Sequence, residues 1–322
     1  MPAFLPNAAL VLRRVTEPMQ ALFDAVAAAP APAGQALRVF HGRGGRFPGC
    51  EHLSLDWYGP VWVLTSFKPL EEAELAQFSQ ALTARHAQLN QTQPHPLNWV
   101  YQERGAGRLE TRLMAGEVPA EHVVGEGTAR YRVHVLRGQN HGLFLDMAAG
   151  RHWLREQANG LKVLNLFAYT CAFSVAALQG GASEVVNVDM AAGALAIGQQ
   201  NHQINGLNGA RFLAHDLFKS WGKVTRMGPY DMVVADPPSY QKGSFVADKD
   251  YARVVRRLPQ LLAPGGRALL CLNAPELSSE FLLDVVASQA PELRFVKRLD
   301  NPPVFADVDP ERSLKVMLFE LS

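Results

Sequence analysis

From Lys162 to the C-terminus the chain repeats one unit, a short unbroken apolar run followed by an amphipathic stretch, and this repetition limits the fold more than any other feature. "KVLNLFA" is followed by "CAFSVAALQGG", "EVVNVDM" by "AGALAIGQQNHQIN", "YDMVVAD" after a loop by "KDYARVVRRLPQLL", and "GGRALLCLN" by "SSEFLLDVVASQ". "ARFLAHD" and "LFKSWGKV" stand between the second and third of these pairs. Strands buried on both faces read as continuous apolar runs, and intervening helices supply the crossovers, so the pattern predicts a mostly parallel sheet covered on both sides. The last two strands, "LRFVKRLD" and "SLKVMLFELS", are joined by "NPPVFADVDPER" without a helical run. That connection suits a terminal antiparallel pair. The expected fold class is α/β, a sheet of seven strands with the last reversed.

Residues before about Gly160 have another texture. "LRVF", "HLSLDW" and "VWVLTSF" read as short strands separated by the glycine-rich "HGRGGRFPG". A helix, "LEEAELAQFSQALTARHAQL", follows, with acids early and Arg85 and His86 late, as the helix dipole prefers. "NWVYQER", "RLETRLM" and "HVVGEGTARYRVHVLRGQNHGLFLD" read as strands and hairpins, and "AAAPAPAG" as a loop or short linker. The expected organisation is an α+β N-terminal region over 1–97, a β-hairpin connecting segment over 98–142 and the repeating α/β domain over 143–322.

Composition narrows the partners. At 322 residues, 48% hydrophobic and 19% charged, the chain can bury a sizeable core, and a formal net charge of +1 supplies no global field for nucleic acid. Any such partner needs a local basic face. The three cysteines, Cys50, Cys171 and Cys271, are far apart and form no metal-binding spacing, so no metal site is expected and a reducing cytoplasm suits them. The sequence "MPAFLPNAALVLRR" lacks a leader-like apolar core, which adds to the expectation of a cytoplasmic protein.

The chemistry gathers where the strands end. Ligands of open α/β sheets sit at the carboxyl ends of the strands, near the switch point. After "KVLNLFA" there is no G-x-G-x-x-G, so NAD or FAD is not expected. Asp189 follows the second strand, Asp216 the third and Asp236 the fourth. Asp189 could accept from two ribose hydroxyls or cap the next helix, and Asp216 could also be a cap. Acids on successive strand ends are costly to bury unpaired and are better explained as lining a polar ligand site. In "VVADPPSY", Asp-Pro-Pro could simply stop a strand, since proline lacks an N–H. It could equally form a pocket rim in which Asp236, the Pro237 carbonyl and the Tyr240 ring hold a flat, amine-bearing base.

At this point "VLNLFAYTCAFSVAALQGGASEVVNVDM", "HDLF" and "DPPSYQKGSF", with "GLFLDMAAGRHW" upstream, resemble the class I S-adenosylmethionine-dependent methyltransferases. Within that class the chain is similar to the 23S rRNA guanine-N7 and cytosine-C5 base methyltransferases, from roughly Asn98 onward. The resemblance implies a Rossmann-like methyltransferase sheet and S-adenosyl-L-methionine as cofactor. It implies that Asn165, Phe167, Tyr169, Thr170 and Cys171 form the first loop against the methionine moiety, and that Asp189 takes the ribose. Met190 would pack on adenine, Asp216 and the Leu217 N–H would meet its edge, and Phe144 and Asp146 would close the site, with Asp236 beside them. Two departures stand out: Cys171 where the family usually has glycine, and Ala148 where an arginine is common.

Two acceptor chemistries are distinguishable by residue. A ring nitrogen or exocyclic amine of a purine needs no protein nucleophile, only Asp236, Pro237 and Tyr240 to position the base. Cytosine C5 needs a thiolate on C6, for which Cys271 is the candidate. Cys271 reads better as a buried small hydrophobe. RNA, ribosomal RNA in particular, is the expected partner. Eight arginines and six acids lie between Tyr101 and Arg155, so phosphate contact through Arg130, Arg132 and Arg151 competes with a solvated, ion-paired hairpin surface. Arg43 and Arg46, with His41 and Phe47, form a second candidate, and Lys242 a third. A small-molecule or protein methyltransferase, or a non-catalytic RNA-binding homologue, remains compatible with the same fold.

Overall fold

The computed structural model describes residues 19–30, 34–89, 95–105, 107–241 and 245–322. The chain forms two compact units. One comprises Met1–Val124, His134–His141 and Ala306–Val308, and the other comprises Gly125–Val133, Gly142–Phe305 and Asp309–Ser322.

The first unit is built on helix α1 (Gln20–Ala28), strands β1 (Ala36–His41), β2 (Leu53–Tyr58) and β3 (Val61–Ser66), helix α2 (Glu72–Leu89), and strands β4 (Asn98–Gly105) and β5 (Arg108–Ala115). The five strands lie in chain order, antiparallel except for β3 and β4, which run parallel. A parallel pair needs a crossover, and α2 supplies it. Alternation then sorts the side chains. Leu53, Leu55, Trp57, Trp62, Leu64, Trp99 and Tyr101 face one core with Leu22, Val26, Phe78 and Leu82 from the two helices. The other face carries a polar row whose register runs His41–Ser54–Thr65–Gln102–Thr111 across all five strands. Strands β4 and β5, expected in a connecting segment, thus belong to this sheet.

A two-stranded hairpin follows, β6 (Val123–Glu126) with β7 (Ala129–Arg132). "GLFLD" was expected as strand; instead Leu145–Met147 is a 3-10 turn leading into helix α3 (Ala148–Gln157). The remaining elements are β8 (Lys162–Leu166), α4 (Ala172–Gln179), β9 (Glu184–Asp189), α5 (Ala192–Ile204), β10 (Ala210–Ala214), α6 (Leu217–Arg226) and β11 (Tyr230–Ala235). They continue as β12 (Tyr240–Gln241), β13 (Phe245–Val246), α7 (Ala247–Val255), α8 (Leu258–Leu261), β14 (Leu262–Leu272), α9 (Ser279–Gln289), β15 (Leu293–Leu299) and β16 (Lys315–Leu321).

The seven-stranded sheet has the order β10-β9-β8-β11-β14-β16-β15, parallel except that β16 is antiparallel to both neighbours. This is the α/β sheet that the alternation predicts, reversed last strand included. The chain leaves β8 outward to β9 and β10, then returns to pair β11 against β8, so the switch point lies between β8 and β11. Leu164, Val186, Val233 and Leu270 bury one face of the sheet, and Val163, Val185, Met232 and Leu269 the other.

Candidate active site

The loop after β8 turns sharply on residues that are not glycine. Phe167, Tyr169 and Cys171 have φ of 57°, 48° and 61°, in the left-handed region that glycine favours. Three contacts fix it: Ala168 N–H donates to the Val188 carbonyl (3.1 Å), Tyr169 N–H to Asp189 Oδ2 (2.8 Å) and the Thr170 hydroxyl to the Gly142 carbonyl (2.6 Å). Cys171 is fully buried at the start of α4, and the space for its side chain comes from the neighbouring helix α5. A Cβ on Gly198 would lie 2.5 Å from the Cys171 Sγ. The glycine missing from the loop is therefore matched by a glycine across from it. Burial pushes the Cys171 thiol far up, which removes it as a nucleophile.

Beneath the loop runs a buried polar chain. The Asn165 carboxamide donates to Asn187 Oδ1 (2.9 Å), and Asn187 Nδ2 donates to Ser174 Oγ (3.0 Å). Ser174 Oγ lies 2.8 Å from His202 Nε2, while His202 Nδ1 lies 2.7 Å from the Gly198 carbonyl. A carbonyl only accepts, so Nδ1 carries the proton and Nε2 accepts from the hydroxyl. Asn165 was expected against a cofactor. Its side chain is buried in β8 and committed to Asn187, so it supports the loop from below. Thr170 is likewise buried and bonded inward.

The strand-end acids are handled differently from one another. Asp189 accepts from two backbone N–H groups, Tyr169 (2.8 Å) and Ala191 (2.8 Å), and is not the N-cap of α5, which is Ala191. Its carboxylate is fixed in place, with lone pairs left for further donors. Met190 beside it is 52% exposed. Asp216 is the N-cap of α6, accepting from Phe218 N–H (3.0 Å), so the capping role holds for it. Leu217 is buried at the first position of that helix. Asp236, immediately after β11, is half-buried, and its carboxyl makes no hydrogen bond among the described residues. Removal from water and the neighbouring Asp146 carboxylate raise its pKa to about 7, with Arg151 acting in the opposite sense.

Aromatic groups border this row. Phe144 and Tyr169 stand with ring centroids 5.4 Å apart, both beside the loop and Asp189. Phe167 packs edge-on to Phe245 at 5.2 Å, and Phe245 lies parallel to Phe218 at 6.3 Å, with the Arg253 guanidinium 3.8 Å above Phe218. Sequence reasoning did not single out Phe218 or Phe245, since both look like ordinary core residues. Pro237 is buried, whereas Tyr240 is 68% exposed. Cys271 is fully buried in β14 with its thiol pushed well up by burial and by nearby Asp236. Asn273, just past the end of that strand, is exposed.

The expected RNA contacts separate. Arg151 is overturned as a surface phosphate contact. It is buried in α3, donates to both Glu126 oxygens (2.7 and 2.5 Å) and to the Phe144 carbonyl (2.9 Å), and holds the hairpin to the turn that carries Asp146. Glu126, its partner, carried no sequence signal. Arg130 is exposed and Arg132 half-buried, and Asn205, the C-cap of α5, and Asn201 within it hold their backbone N–H groups at 2.9 and 2.8 Å. Arg43 and Arg46 are exposed in the first unit. Lys242 lies outside the described residues.

Could S-adenosylmethionine be held here? The donor set suits it: a fixed carboxylate at Asp189, exposed Met190, the Phe144 and Tyr169 rings, and Asp216 with the start of α6. Comparisons with known proteins agree. The chain is 36% identical over 188 residues to a ribosomal RNA large subunit methyltransferase I of Aeromonas hydrophila, covering 56% of this chain and 47% of that protein. It is 35% identical over 170 residues to a large subunit methyltransferase K/L of a Psychrobacter species, covering 50% of this chain and 21% of that one. The chain thus spans about half, or less, of the length of these relatives. Among solved structures, a methyltransferase in complex with SAH superposes with a TM-score of 0.77 at 24% identity, over 99% of this chain and 83% of that one. The family model for S-adenosylmethionine-dependent methyltransferases matches residues 37–320. With that match spanning both sheets, the chain belongs to the S-adenosylmethionine-dependent methyltransferase family.

Proposed function

We propose that the chain methylates a base of RNA, most simply 23S rRNA, on a ring nitrogen or exocyclic amine of a purine. The observation that carries this reading is an Asp236 carboxyl that makes no hydrogen bond among the described residues, followed in sequence by buried Pro237 and exposed Tyr240, while Cys271 is sealed in the core. S-adenosylmethionine, when bound, supplies an electrophilic methyl group. Asp189, Met190, Phe144, Tyr169, Asp216 and the Leu217 N–H would hold it. In its ionised form Asp236, with the Pro237 carbonyl, accepts from an exocyclic amine and fixes the base in plane. Tyr240 offers the ring face on which a flipped or unpaired base stacks. A purine nitrogen brings its own lone pair, so positioning and exclusion of water are what the protein contributes. Cytosine C5 would require a thiolate at the base, and a fully buried thiol does not meet that need.

The test is methyl transfer in vitro to deproteinised 23S rRNA from cells lacking this gene product, read by nucleoside mass spectrometry. A methylated purine nucleoside is expected. Appearance of 5-methylcytidine alone, or no methyl group in RNA, would overturn the reading.

A further inference from the structure

Among the described residues, the polar face of the five-stranded sheet holds a cation, Arg104, with no acid bonded to it. Arg104, near the end of β4, is half-buried; its Nε donates to the Gln102 carboxamide oxygen and its Nη2 lies 3.4 Å from His141 Nε2. Neither partner is an anion. His141 is held neutral at a pKa of about 3 by burial and by Arg104 itself. The acid that most favours the charge on Arg104 is Asp56, whose two oxygens already accept from Nε and Nη2 of Arg38. Burial brings the Arg104 pKa down to about 10, and Arg43 and Arg38 add to the fall. Arg43 reaches the same place from the Gly42–Gly44 turn. Its guanidinium carbon lies 4.0 Å over the Phe67 ring, and that of Arg104 lies 5.9 Å from the same ring. The segment 306–308, bonded to Gly44 through Val308 N–H (2.9 Å), brings Asp307 to the Arg43 side of this cluster.

A guanidinium kept out of water beside neutral partners weakens the fold unless an anion joins it. Gln102 is itself fixed by Thr111 Oγ1 (3.2 Å) and the Gly138 carbonyl (3.0 Å), so it can orient Arg104 rather than follow it. Arginine forks match phosphate oxygens, and the Phe67 ring beneath them aligns two such forks. We propose that the end of this face, where Arg104 and exposed Arg43 meet at Phe67, is a phosphodiester subsite for RNA, with Arg104 and Arg43 on the phosphate and the buried Gln102 and His141 positioning Arg104. The proposal rests on the RNA reading above and adds a binding element that Arg43 and Arg46 alone did not define.

The test uses the full chain, deproteinised 23S rRNA in filter binding and SAH in calorimetry. Arg104→Gln and Arg43→Gln should each weaken RNA binding about 10-fold at moderate salt. Each should flatten the slope of log affinity against log salt by about 0.7–0.9. SAH affinity should not move, and the melting temperature of Arg104→Gln should not fall, which separates a binding role from a structural one. Inorganic phosphate serves as a second probe: a wild type stabilised by phosphate whose variants bind RNA unchanged would assign the site to a free anion and overturn the proposal. Unchanged RNA affinity and slope in both variants overturns it as well, leaving the RNA substrate intact. A wild type that binds no RNA overturns both.

Discussion

The two sheets of this protein place their polar groups in opposite ways. In the parallel sheet, polar chemistry collects at the carboxyl ends, where Asp189, Asp216 and Asp236 follow three successive strands. In the mixed five-stranded sheet it runs across one face, as the row from His41 to Thr111. Among the described residues, each sheet carries a partly buried ionisable group with no oppositely charged group bonded to it, the Asp236 carboxyl in one and the Arg104 guanidinium in the other. A sheet buried on both faces has no face to offer a ligand, so its strand ends must serve; in the five-stranded sheet Ser54, Thr65 and Gln102 are buried too, and the polar row comes toward the surface only near Arg104 at the end of β4.

The largest expected effect breaks the parallel half of this comparison. Asp236→Ala should lower turnover on the order of 100-fold if, as proposed, its carboxyl is the in-plane anchor of the base, while SAH affinity measured by calorimetry stays near wild type. Next comes Glu126→Ala, which strands the buried Arg151 charge and should cost about 3–5 kcal/mol in urea unfolding. The matching change at the exposed Arg112–Glu72 pair of the first sheet should leave the unfolding midpoint in place. Gly198→Ala should cost about 1–3 kcal/mol through its clash with Cys171. Adding Cys171→Gly should restore most of that, a coupling that a double-mutant cycle would measure.

Smaller effects sharpen the contrast. Turnover should rise with pH through about 7 as Asp236 ionises. The sign for stability is opposite: a carboxyl whose folded pKa is raised favours the folded state when protonated. Its contribution is full below the unfolded value of about 4 and disappears as pH climbs through about 7. Asp236→Asn should therefore melt higher than wild type at pH 8, with the gap closing toward pH 4. Cys271→Ser should leave RNA methylation nearly unchanged, and loss of activity in a folded, SAH-binding variant would revive the cytosine route.

The seven-stranded sheet was legible because each strand is an apolar run ending on an acid or a loop, a local property of the chain. Helix α3 was not, because one of its buried positions is Arg151, which hides the apolar stripe. The same residue looked like a phosphate contact, since its partner Glu126 lies 25 positions away. Arg104 could be seen only as one of eight nearby arginines; its neutral partners Gln102 and His141 emerge once strand register and the return of 134–141 are known. The inward bonding of the Asn165 side chain was hidden for a related reason. Polar residues in an apolar strand suggest a ligand, and here two of them, Asn165 and Asn187, are satisfied inside the fold together with Ser174 and His202 of the adjoining helices.

The three left-handed residues after β8 have a consequence for how this loop can change. A side chain at positive φ carries a local penalty on the order of 1 kcal/mol, so glycine at 167, 169 or 171 would ease the backbone while erasing a ring or a buried plug. The turn is thus a pre-bent clasp, held in its shape by the remainder of the fold. Its rigidity is borrowed from Asp189 and Gly142, and it would slacken if either anchor were withdrawn.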